Sequence, residues 1–140
     1  MISCTRRLQF CAGHRVFRHE SKCNNLHGHN YVALLTARGV ATPLDPLGRV
    51  IDFSVIKEKV GGWVDANWDH GFLYFEDDAE VSRVLGELGH KRYAMRANPT
   101  AENMARELLE RGNEALASSG VEIVRVELWE TENCRAEYEA

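Results

Sequence analysis

The chain has 140 residues, long enough to bury a hydrophobic core and short enough for one domain. Its hydrophobic content of 44% and charged content of 27% are those of a globular protein, and a net charge of −4 excludes a general nucleic-acid binder, which needs surplus Lys and Arg. No apolar run approaches a membrane span and no apolar segment follows Arg6 and Arg7 as an export signal would, so the expectation is a cytoplasmic protein with no membrane partner and four reduced cysteines.

Residues 2–14 alternate: Ile2, Cys4, Leu8, Phe10, Ala12 and His14 share one parity, and Ser3, Thr5, Arg7 and Gln9 the other. That period predicts a half-buried strand with His14 on its apolar face. Residues 15–26 are polar and irregular and read as a loop. A second strand runs from His29 to Arg38 and stops at Gly39, so the two form a hairpin with a long connection. Pro43, Asp45-Pro46 and Gly48 mark turns. Asp52 is a candidate N-cap for a helix carrying Phe53, Ile56, Val60, Trp63 and Val64, weakened by Gly61-Gly62. Trp68-Asp69-His70-Gly71 reads as a loop. Asp77 and Asp78 cap a short helix with Val81, Val84, Leu85 and Leu88 on one face, stopped at Gly89, and residues 91–97 read as extended. Asn98-Pro99-Thr100 opens the clearest helix, whose stripe is Ala101, Met104, Ala105, Leu108, Leu109, Gly112, Ala115 and Leu116, with Gly120 as its end. Val124, Val126 and Leu128 then alternate, Glu130 continues their parity, and a last strand covers 135–139. Hairpin strands with helices grouped between them predict an α+β fold with an antiparallel sheet.

Chemistry concentrates in Cys23-Asn24-Asn25-Leu26-His27-Gly28-His29. His27 and His29 lie on one face if the second strand reaches back that far. A lone His on a strand is more often a hydrogen-bonded core residue than a ligand, but His14 on the neighbouring strand makes three. Three imidazoles with no obvious fourth ligand match a catalytic zinc site, which keeps one position open, although iron, nickel or copper also suits imidazole. With Cys23 as fourth ligand the same residues would make a structural site and a non-catalytic module. A third alternative is a zinc hydrolase with Glu102 or Glu130 as base, although nothing in the sequence places either carboxylate near the metal. Beside a metal, Cys23 can ionise to a thiolate base or nucleophile, whereas Cys4, Cys11 and Cys134 read as structural. Asp69-His70 is either a turn or an acid–base relay in which Asp orients the imidazole. Glu130 is either a solvated charge at a strand end or a buried carboxylate that accepts two parallel N–H groups.

Phe10-x-Ala12-x-His14, Cys23-x-x-x-His27-Gly28-His29, Asp69-His70, Asn98-Pro99-Thr100-x-Glu102-Asn103 and Glu130-Thr131 occur in the order found in the 6-pyruvoyltetrahydropterin synthase family, which the chain resembles over nearly its whole length. That family includes the 6-carboxytetrahydropterin synthases of bacterial queuosine biosynthesis. The resemblance implies a tunnelling fold: a four-stranded antiparallel sheet with two main helices on one face, assembled as a homo-oligomer of trimers or paired trimers with active sites between subunits. It implies Zn2+ on His14, His27 and His29, Cys23 as proton-abstracting base, Asp69 and His70 as proton relay, and Glu130 as pterin anchor. Thr100 and Glu102 would help line the substrate pocket. The implied substrate is the pterin triphosphate 7,8-dihydroneopterin triphosphate, with Arg15, Arg18 and Lys22 as nearby cations. The three-residue gap between Cys23 and His27 resembles the bacterial carboxy enzymes, which release acetaldehyde and triphosphate. The animal pyruvoyl enzymes usually have a longer gap, but the Cys23-Asn24-Asn25 and His29-Asn30-Tyr31 segments also resemble those enzymes, so the pyruvoyl product, formed by triphosphate elimination, stays open. The segment between His70 and Asn98 is longer than in compact bacterial members.

Overall fold

The alternation at the N-terminus does form a strand, β1 (Cys4–His14), paired antiparallel with β2 (His27–Gly39) from Cys4↔Ala37 to His14↔His27. The computed structural model describes all residues, Met1–Ala140. After β2 come a helical stretch α1 (53–67), strand β3 (Gly71–Phe75), helix α2 (Ala79–Leu88), strand β4 (Arg92–Met95), helix α3 (Ala101–Ala115) and strands β5 (Val121–Thr131) and β6 (Cys134–Glu139). Within α1, a π-helical segment at Lys57–Gly61 separates Phe53–Ile56 from Gly62–Asn67, immediately before the second glycine of the Gly61-Gly62 pair. Asp52 caps α1 by accepting the Ser54 N–H, and Thr100 caps α3 by accepting the Asn103 N–H. No helix is long and apolar enough to cross a membrane.

The sheet has six strands in the order β4-β3-β1-β2-β5-β6. β1, β2, β5 and β6 form the expected antiparallel unit, but β3 adds to β1 in parallel and β4 to β3 in parallel. The four-stranded expectation is therefore short by two strands. The reason is visible in β3, whose Gly-Phe-Leu-Tyr-Phe has no polar alternation because both faces are covered. Leu73 enters the main core, while Tyr74 packs with Val81 and Leu85 of α2 in a separate cluster. α1 and α3 thus lie together on one face, as expected, and α2 covers the other face of the added edge. The main core combines Ile56, Val60 and Val64 of α1 with Met104, Leu108 and Leu109 of α3, on the β1 and β2 face that also carries Phe10, Ala12, Tyr31 and Leu35.

β5 departs from simple alternation. Ile123 and Val126 both point inward and Val124 does not, because Thr36 pairs with Arg125 while its neighbour Ala37 pairs with Ile123. Val124 is the extra residue of a β-bulge, which reverses parity along the strand.

The added segment is tied to the end of β1. Arg15, next to His14, grips the fully buried Asp78 with Nε and Nη2, each at 2.9 Å, and reaches Glu80 through Nη1 at 2.9 Å. Asp78 also accepts the Val81 N–H at 3.3 Å, capping α2. A bidentate pair that closes every acceptor of a buried carboxylate is costly to break from one side. Arg15→Met is expected to destabilise the protein by roughly 3 kcal/mol because it leaves Asp78 buried and unpaired. Denaturant titration checks this value, and a change below roughly 1 kcal/mol would show that Asp78 readily finds water.

Candidate metal centre and active site

The hairpin register brings three imidazoles together. His14 and His27 are cross-strand partners, and His29 sits two residues further along the same face. Gly28, between the two histidines, faces Gly13 across the hairpin. A Cβ on Gly28 would lie 2.9 Å from the Ala12 carbonyl oxygen, and one on Gly13 would strike the Phe72 ring at 2.6 Å. The glycines let β1, β2 and β3 close tightly just where the histidines project from the other face.

Two of the outer nitrogens are held by the chain. His14 Nδ1 lies 2.7 Å from the Pro99 carbonyl oxygen, and His27 Nδ1 lies 2.7 Å from the Asn25 carbonyl oxygen. A carbonyl only accepts, so both Nδ1 atoms carry the hydrogen and both Nε2 atoms present bare lone pairs. Those two Nε2 atoms are 3.0 Å apart. His29 Nε2 is buried with no hydrogen-bond partner. The Glu130 Oε1 atom lies 3.5 Å from His14 Nε2 and 3.7 Å from His29 Nε2. Bare lone pairs this close, with a carboxylate oxygen beside them, repel unless a cation sits among them. Tetrahedral zinc at its usual N distance separates two imidazole nitrogens by about 3.3 Å, close to what is seen. Burial, opposed by the Pro99 hydrogen bond and reinforced by His27 and His29, lowers the His14 pKa to about 4, so the imidazole is neutral, as a ligand must be. Burial likewise lowers His29, against the pull of Glu130. The three imidazoles fit a metal ion.

Cys23 is outside that cluster, whose mutually close donors are the three histidines alone. It sits in a single turn at Lys22–Asn24, half-buried, and its carbonyl accepts the Val16 N–H at 3.0 Å. The fourth-ligand alternative loses support here. Glu130, by contrast, stands beside the centre, which the sequence did not foretell.

Asp69 and His70 lie elsewhere. The His70 Nδ1–H donates to Asp69 Oδ2 at 2.9 Å, while His70 Nε2 meets not Cys23 but Cys11 Sγ, at 3.5 Å. Cys11 has the opposite parity to Ala12 and His14, so this group occupies the sheet face away from the three histidines. Burial opposes ionisation of Asp69, but the His70 hydrogen bond and the Cys11 N–H outweigh it and hold the carboxyl below its usual range. Lys91 Nζ donates to the Asp65 and Asp69 carbonyl oxygens at 2.6 and 2.5 Å, which fixes the turn.

The Asn98-Pro99-Thr100-x-Glu102-Asn103 segment works mainly as a brace. The Asn98 amide donates to the Phe17 carbonyl at 3.0 Å and accepts the Phe17 N–H at 2.7 Å. Asn103 Nδ2 donates to the Asn98 carbonyl at 2.9 Å, Pro99 holds His14, and Thr100 is occupied with capping. Glu102 is exposed in the first turn of α3. Of the candidate phosphate-binding cations, Arg15 is committed to Asp78 and Glu80, and Arg18 lies over the Phe17 ring at 4.8 Å. Tyr31 is a site residue that sequence reasoning missed. Its hydroxyl lies 3.3 Å from His14 Nδ1, and burial, helped by Glu130, raises its pKa. The signal was present, because Tyr31 continues the parity of His27 and His29.

Three convergent imidazoles with a neighbouring carboxylate at one end of the sheet make a site that can hold a metal ion. Residues 3–140 match the family described as 6-pyruvoyl tetrahydropterin synthase, and the chain belongs to that family. It is 43% identical over 142 residues to a 6-carboxy-5,6,7,8-tetrahydropterin synthase of Rickettsia typhi, covering 98% of this chain and 99% of that one. It is 29% identical over 143 residues to the enzyme of that name from Haemophilus influenzae, covering 99% of each. Among solved structures, an uncharacterized protein of Wolinella succinogenes superposes with a TM-score of 0.82 at 22% identity, covering 99% of this chain and 97% of that one, a likeness of fold. The 6-pyruvoyl tetrahydropterin synthase of Caenorhabditis elegans superposes at 0.70 with 25% identity, covering 99% of this chain and 95% of that one.

His14→Ala, His27→Ala and His29→Ala are each expected to weaken metal binding by more than the roughly 10–100-fold that loss of an outer-shell partner costs. Metal analysis after dialysis against a chelator buffer checks this, and near-normal retention in any of the three would remove that histidine from the ligand set.

Proposed function

We propose that the protein is a zinc-dependent 6-carboxy-5,6,7,8-tetrahydropterin synthase. It would convert 7,8-dihydroneopterin triphosphate to 6-carboxytetrahydropterin with release of acetaldehyde and triphosphate. The observation that carries this reading is the set of bare Nε2 atoms beside an uncommitted thiol loop, in a chain 43% identical to a relative of that name. When bound, the metal supplies Lewis acidity toward the substrate's side-chain oxygens, which acidifies the adjacent C–H bonds.

The chain's own residues then have separate tasks. Cys23 Sγ accepts a proton as thiolate. Asp69 fixes the His70 ring through Nδ1, so that Nε2 is the nitrogen that moves a proton. Glu130 stands within reach of a ligand on the metal and accepts the paired N–H groups of the pterin edge. Thr100 and Glu102 contribute at the N-terminal end of α3, where Pro99 holds His14.

His70 and the histidine centre lie on opposite faces of the sheet, so the reading requires a homo-oligomer in which His70 of one subunit serves Cys23 of another. Both sheet edges, β4 and β6, are unpaired within the chain and can meet further copies. Trimers or paired trimers satisfy this requirement.

The position of Glu130 favours a second reading, a metal hydrolase with that carboxylate as base. Zinc-loaded protein incubated with 7,8-dihydroneopterin triphosphate, with products identified by mass, separates the possibilities. 6-Carboxytetrahydropterin with acetaldehyde is expected. A pyruvoyl pterin without acetaldehyde would assign the sister activity, and simple phosphate hydrolysis the hydrolase. Cys23→Ala is expected to keep fold and metal and to lose at least about 100-fold in turnover. Loss of the metal from this variant would restore the structural-zinc reading.

A further inference from the structure

A second functional cluster lies on the sheet face opposite the histidine centre, built from residues 59 positions apart in sequence. Three contacts join Cys11 to the Asp69-His70 turn, and one more orders the turn itself. The His70 Nδ1–H donates to Asp69 Oδ2 at 2.9 Å, and His70 Nε2 lies 3.5 Å from Cys11 Sγ. The Cys11 N–H donates to Asp69 Oδ1 at 3.0 Å, and the His70 N–H donates to the Cys11 carbonyl at 2.7 Å. His70 adopts a left-handed backbone, φ 58°, which a non-glycine residue holds only where its surroundings impose it. The cluster opens on a cleft of about 440 Å³ lined by Cys11, Gly13, Gly28, Asn30 and His70.

The arrangement has the connectivity that activates a cysteine: nucleophile to imidazole, imidazole to an ionised carboxylate. The other thiols lack it. Cys4 lies against the core, where burial raises its pKa, Cys134 begins the edge strand β6, and Cys23 has no imidazole contact within its chain.

We propose that Cys11, His70 and Asp69 form an intrachain thiol–imidazole–carboxylate triad, a reactive-thiol site for small soft carbon electrophiles, whose sulfur is distinct from Cys23 but whose imidazole is the one proposed above to serve Cys23 of another subunit. The Cys11 thiol passes its proton to His70 Nε2, and Asp69 stabilises the resulting imidazolium through Nδ1. The sulfur then attacks the electrophile. With iodoacetamide a C–S bond forms, the C–I bond breaks, and iodide leaves with the electron pair. Modification of Cys11 also removes the partner that His70 Nε2 has in the chain, so capping this thiol alters the proton relay. The triad stands on geometry within one subunit and does not depend on the pterin reaction.

The test is site-resolved alkylation of the intact, metal-loaded protein with limiting iodoacetamide, read by peptide mass spectrometry. His70→Asn removes the imidazole and keeps a residue that tolerates the left-handed backbone. It is expected to slow Cys11 alkylation at least about tenfold while leaving Cys4 and Cys134 unchanged, with Asp69→Asn slowing it less. The wild-type Cys11 rate is also measured against free glutathione at the same pH, a comparison that needs no variant. A rate above glutathione supports the triad. A rate at or below it, no Cys11 labelling in folded protein, or an unchanged rate in a folded His70→Asn protein overturns it.

Discussion

The pairing of His14 with His27 across the first hairpin is the constraint on which the centre depends. Side chains on a strand alternate between faces, so a slip of one residue between β1 and β2 would send His27 and His29 away from His14. The register is held by eleven consecutive partners and by the burial of Phe10, Ala12, Tyr31 and Leu35 on one face. The Gly13–Gly28 pair sits one step before the histidines, where a Cβ on Gly28 would strike the β1 backbone and one on Gly13 the Phe72 ring. The same packing that stabilises the sheet therefore aims the ligands.

The centre is braced from distant parts of the chain. Pro99, just before α3, holds His14, and the adjoining Asn98 clamps the backbone of Phe17 at the start of the loop that carries Cys23. Arg15, at the same end of that loop, anchors it to the buried Asp78 in the segment that adds β3, α2 and β4. The added segment thus has a mechanical role: it pins the end of β1 one residue past His14. Aligned acceptors without a cation cost folding energy, so a metal held by these histidines would link its binding to folding at this hairpin.

Much of this was legible in the sequence. The alternation of β1 and the apolar stripe of α3 report their own burial, because each element has one covered face. The convergence of His14, His27 and His29 followed from parity once the two strands were taken as a hairpin. β3 was not legible, since a strand covered on both faces carries no period. The bulge at Val124 was not either, because one inserted residue reverses parity without a marker in composition. The place of Glu130 beside His14 and His29 and of Cys11 beside His70 depends on strand order across the sheet, which local pattern does not encode. Cys11 did lie on the polar parity of β1, a sign that it was not a core residue.

The central claim is that three imidazoles hold the metal and that Cys23 is kept free as a base. X-ray absorption at the zinc edge of the metal-loaded protein tests it directly. The account predicts a first shell of nitrogen and oxygen only, at about 2.0–2.1 Å, with imidazole outer-shell scattering. A sulfur scatterer at about 2.3 Å would contradict it, by placing Cys23 on the metal as a fourth ligand.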